Sequence, residues 1–75
     1  MAPALCQVDQ LTARECEVLR WVMEGFSNGD IARVLVVSAE TVKTHISNCL
    51  SKLGARDRTQ AVVLALRSGQ LQLMP

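Results

Sequence analysis

Apolar residues along this chain recur three and four positions apart in four blocks, and each block follows a side-chain oxygen suited to capping a helix. Thr12 with Glu15 has the spacing of a capping box, so a first helix is predicted to start near Ala13. Its inner positions are Val18, Leu19, Val22 and Met23, and Gly25 supplies a left-handed stop. Ser27 with Asp30 repeats the box and opens a short second helix through Leu35, with Ile31, Ala32 and Leu35 facing inward. Ser38 caps a third, from about Ala39 to Leu53, which Gly54 closes. Asp57 with Gln60 marks a fourth start, and Ser68-Gly69 its end. Only Val36, Val37 and Ser38 join the second helix to the third, and so short a link forces a steep corner, the plan of a helix-turn-helix. The predicted fold is therefore all-α: a compact four-helix domain over residues 11–69, with 1–10 as an N-terminal tail or linker and 70–75 as a C-terminal tail.

On the third helix, Val42, Ile46, Cys49, Leu50 and Leu53 form one apolar stripe. The opposite side holds Glu40, Thr44, Ser47, Asn48 and Ser51, flanked by Lys43 on one edge and by His45 and Lys52 on the other. Short hydroxyl and amide side chains let a helix approach base edges in a major groove, while flanking cations reach phosphate or guanine. An ordinary solvated face would carry more long Glu and Lys pairs four apart. Glu40 runs against DNA contact as a carboxylate, and in favour of the helix as a negative charge in its first turn. The fourth helix turns Ala61, Val62 and Ala65 inward and leaves Val63 pointing out among polar neighbours.

Charge sharpens this picture. The net charge of +1 hides a split. Residues 1–40 carry Arg14, Arg20 and Arg33 against Asp9, Glu15, Glu17, Glu24, Asp30 and Glu40; residues 41–75 carry Lys43, Lys52, Arg56, Arg58 and Arg67 against Asp57 alone. The second half is the one suited to an anionic partner, although a solvated charged face has the same look. With 75 residues, 49% of them hydrophobic, the chain makes one small domain with little room for an enzyme pocket. No nucleophile, base and orienting group can be assembled, so no catalytic residue is expected. Cys6, Cys16 and Cys49 are odd in number and lack a CxxC pair, and there is one His, which supports neither a disulfide framework nor a metal site; no cofactor is expected. Cys16 and Cys49 read as small core hydrophobes and Cys6 as a free thiol in the tail. The longest apolar run, Ala61 to Leu66, falls far below the ~18 residues a membrane span needs, and no signal segment opens the chain, so the expected compartment is the cytoplasm.

The stretches LTARECEVL, GFSNGDIARVL, VSAETVKTHISNCLSKLGA and RTQAV, in this order, resemble the LuxR-type helix-turn-helix domain of bacterial transcription regulators. The resemblance covers roughly residues 10 to 69 and implies that the third helix enters the major groove and the fourth mediates dimerisation. It places Lys43, Thr44 and Ser47 where bases are read, and Thr41, His45, Lys52, Ser27 and Asn28 near the phosphate backbone. Asn48 joins the base-reading set from its place on the polar face. Arg56 and Arg58, just after Gly54, either add phosphate contacts or solvate the turn. Val63, with Leu64 and Arg67, is the expected contact of a homodimer on double-stranded DNA. Members of this family often carry an upstream regulatory domain for which 75 residues leave no room, so the chain reads as an excised output domain or a stand-alone member. The other reading kept open is a helical protein-interaction module docking through helix four and the Leu71, Leu73, Met74 tail.

Overall fold

Every helix begins at a side-chain oxygen. The computed structural model describes residues 11–71, which form α1 (Ala13–Met23), α2 (Asn28–Leu35), α3 (Ala39–Leu53) and α4 (Arg58–Arg67). Thr12 and Glu15 close the expected capping box reciprocally, as do Ser27 and Asp30. Ser38 Oγ accepts from the Thr41 N–H at 3.0 Å. Asp57 accepts from the Gln60 N–H at 2.8 Å, but Gln60 reaches one residue past the cap, to the Arg56 N–H at 2.7 Å.

The helix ends divide by residue type. At the end of α1, Gly25 takes φ +92°, its N–H donates to the Val22 carbonyl and the Phe26 N–H to the Trp21 carbonyl. This is the Schellman arrangement, and its apolar clasp is the Trp21–Phe26 ring pair, 4.6 Å between centroids. The end of α2 is different: Val36 caps it in the left-handed region (φ 58°, ψ 50°) while 87% exposed. Strain of about 1–2 kcal/mol is normal for an L residue there. The reversal turns Val37 back against the core and sets Ser38 at the head of α3.

Two apolar clusters meet across α1 and α3. Val18, Ile31, Ala32, Val42 and Ile46 join α2 to that spine, and Leu11, Leu19, Cys49, Ala61, Ala65 and Leu71 join α4 to it. Leu50 packs against both. α2 and α4 each pack on α1 and α3 and not on one another.

Packing continues past residue 69, where the domain is expected to end, to the buried Leu71. Gly69 reverses the chain at φ +83°, Leu71 is buried at 2% exposure, and Gln70 Oε1 accepts from the Leu11 N–H at 2.8 Å. The small Ala61 and Ala65 leave room for Leu71 between α1 and α4, so Leu71 is core and unavailable for docking. Leu73, Met74 and Cys6 lie outside the described residues.

Candidate nucleic-acid interface

α3 crosses the molecule with Val42, Ile46 and Cys49 buried. Its other side presents Lys43, Thr44, Ser47 and Asn48, all exposed, as neighbours one turn apart. Among the described residues no hydrogen bond or ion pair engages these four side chains. Glu40 and Ser51 extend the same exposed strip, and His45 is half-buried at its edge. Thr41 is exposed at the head of the helix, its hydroxyl 2.9 Å from that of Ser38.

The N-terminus of α2 holds the next group of expected contacts. The Asp30 carboxylate accepts from the Ser27 N–H at 3.3 Å and from Arg33 Nη2 at 2.6 Å. The Ser27 backbone and side-chain bonds, with Arg33 adding less, hold the Asp30 carboxyl below its ordinary range. Arg33 thus offsets the one acidic charge at this helix end. Asn28 is half-buried, and its Oδ1 accepts from Arg58 Nη1 at 2.8 Å; Arg58 Nη2 donates to the Phe26 carbonyl at 3.2 Å. Arg58 therefore bridges α4 to the α1–α2 corner, a third possibility beside the phosphate contact and the solvated turn weighed from sequence. Arg56 is exposed.

Lys52 is also drawn inward. Its Nζ donates to Glu15 Oε1 at 2.8 Å, with the two side chains 28% and 5% exposed. Burial pushes the Glu15 carboxyl up, but the bonds from Lys52 and from the Thr12 N–H outweigh it and hold the group below its ordinary value. Buried charges are retained when paired and hydrogen-bonded, and this pair satisfies both conditions. Glu15 was legible only as a cap. Its place one turn before Leu19 on the inner face of α1 signals burial, but its partner lies 37 residues away and has no local signature.

The two described cysteines belong to the core. Burial, with Glu15 adding to it, pushes the Cys49 thiol up to about 12, and burial likewise raises Cys16. Both stay protonated, without the thiolate character that nucleophilic or metal-binding chemistry requires. On α4, Val63 is 42% exposed, Leu64 is half-buried and Arg67 exposed. Val62 and Val63 line a shallow recess with Val22, Met23 and Thr59, so the outer face of α4 runs continuously onto α1. No helix among the described residues is long and apolar enough to cross a membrane.

Residues 9–65 match the family described as bacterial regulatory proteins, luxR family. The chain is 48% identical over 63 residues to the transcriptional regulatory protein DegU of Brevibacillus brevis, a match covering 84% of this chain and 27% of that protein. It thus spans under a third of the length of this curated relative. Among solved structures, transcription factor GerE superposes with a TM-score of 0.81 at 42% identity, over 85% of this chain and 96% of that one. VqmA of Vibrio cholera, solved as a ligand–DNA complex, superposes with a TM-score of 0.75 at 39% identity, over 88% of this chain and 29% of that one.

Proposed function

As this chain belongs to the luxR family of bacterial regulatory proteins, we propose that it is a sequence-specific DNA-binding output domain that regulates transcription with α3 in the major groove. The outer face of α3 carries this reading: four exposed side chains capable of base contact, without hydrogen-bond or ion-pair partners among the described residues, on a helix whose other side is locked in the core. Lys43, Thr44, Ser47 and Asn48 select bases. Thr41, His45, Ser27, Asn28 and Arg56 contact the phosphate backbone and fix the register. The free N–H groups and dipole at the head of α2 add to this anion-binding rim. Lys52 holds α3 to α1 through Glu15, which makes it a fastener of the reading helix before any phosphate contact.

Two domains bind together through α4, with Val63, Leu64 and Arg67 at the contact, and present two copies of α3 to adjacent half-sites. The share of DegU that the chain covers supports a longer parent in which an upstream regulatory segment controls this domain. Its setting is the bacterial cytoplasm. Protein docking through a C-terminal tail is disfavoured, because Leu71 is consumed by the core.

Selection of bound sequences from a random duplex pool tests this function. The expected product is a short motif with two-fold symmetry, bound with an affinity that falls steeply as salt rises. A pool that remains unenriched would reject the assignment.

A further inference from the structure

Arg58 sits where a sequence reader places a phosphate contact, yet its guanidinium is turned toward the protein. Nη1 and Nη2 both donate inward, to Asn28 Oδ1 and to the Phe26 carbonyl. These bonds connect the first residue of α4 with the first residue of α2, two helices that do not pack on one another. A guanidinium has only donors, so the amide atom that meets it must be the oxygen. The orientation of the Asn28 amide is thereby dictated, with Nδ2 on the arm away from Arg58. Among the described residues nothing accepts from Nδ2, and no buried side-chain nitrogen or oxygen lacks a partner. Nδ2 therefore reaches solvent, at the positive end of the α2 dipole.

We propose that Arg58 is a positioning residue for DNA binding: it holds the Asn28 amide with both hydrogens presented to a backbone phosphate, and does not grip the phosphate itself. This rests on the DNA-binding reading above. It ties the geometry of the α2 phosphate clamp to α4, the helix assigned to dimerisation, so a shift of α4 would be felt at Asn28 without passing through α3.

A double-mutant cycle on binding to a short mixed-sequence duplex tests it, since phosphate contacts do not depend on sequence. Asn28→Ala and Arg58→Met are each expected to weaken binding about threefold to tenfold, the range for one hydrogen bond, and the double variant no more than either single one. Losses that multiply would overturn the proposal. So would a fall of about 0.9 in the salt slope for Arg58→Met, the mark of a direct phosphate contact. Asn28→Asp separates the fold from the binding, because a carboxylate keeps the bond to Arg58 but offers phosphate no donor. The melting temperature should hold while affinity drops, and wild-type affinity in Asn28→Asp would overturn the proposal. Without DNA, Arg58→Lys should shift the Asn28 side-chain amide resonances and spare the α1 and α3 backbone; unmoved Asn28 resonances would also overturn it. If the wild-type chain binds no duplex at all, the functional reading falls and takes this one with it, a result distinct from normal wild-type binding with multiplying losses.

Discussion

Within the proposed base-reading set, Lys43 and Thr44 differ from Ser47 and Asn48 in what their side chains offer a base. Lysine brings three donors on a long stem, and threonine a hydroxyl beside a methyl that fits the thymine methyl. Replacing either with Ala keeps the helix former and removes the reading group. Lys43→Ala and Thr44→Ala are each expected to lose about 1–3 kcal/mol of preference for the selected site over random duplex. Competition binding with helicity monitored checks this, and undiminished preference in both would move the reader elsewhere. Glu15 and Lys52 yield a prediction of the opposite kind, on stability. The folded Glu15 carboxyl binds its proton less tightly than the unfolded one, so the pair stabilises the fold at neutral pH. That contribution fades as pH falls below the ordinary carboxylate range and through the lowered folded value. Glu15→Gln should flatten the acid side of the stability–pH curve. Lys52→Met, which leaves the carboxylate buried without its partner, should cost about 1–3 kcal/mol at neutral pH in urea titrations. An unchanged acid limb in Glu15→Gln would show that the pair is not the titrating element. The local half of this chemistry, the Thr12–Glu15 box, was legible because a capping box lies within four residues; the Lys52 half was not, because folding alone brings α3 to it.

The four starts and stops of the helices were legible because caps act over three or four residues. Thr12, Ser27, Ser38 and Asp57 each cap the helix expected of them. Gly25, Gly54 and Gly69 each take positive φ where the chain turns. Val36 shows what this pattern misses. A β-branched residue gives no sign of a left-handed cap, yet the three-residue link between α2 and α3 imposes one. Because Val36 is 87% exposed, replacing it sacrifices almost no packing. Val36→Asn is therefore expected to raise stability by about 1 kcal/mol by relieving the strain, with duplex affinity unchanged. Thermal or denaturant melting decides it, and a destabilised Val36→Asn would mean that the valine is held by contacts outside this turn.

At the scale of the molecule, α1 and α3 act as a common spine on which α2 and α4 each pack. This arrangement leaves the outer sides of α3 and α4 exposed, as the proposed groove contact and the proposed pairing of two copies require. Val63 is 42% exposed on the outer side of α4. A charge there should oppose pairing of two domains without disturbing α3, so Val63→Glu is expected to weaken binding to a two-half-site duplex by about 1 kcal/mol or more, and to leave binding to a single half-site nearly intact. Equal losses on both duplexes would remove α4 from the pairing surface.

Periodicity and capping residues alone specified four helices, the corner between the second and third, and the polar face of the third, because all of these arise from contacts within one or two helical turns. Tertiary structure decided the rest: that Leu71 closes the core, that Lys52 turns inward to Glu15, and that Arg58 reaches Asn28. Each of these joins groups 30 or more residues apart or depends on the space left by small neighbours. Such pairings are selected by the packing of whole helices, whose burial outweighs any preference written in the local chain.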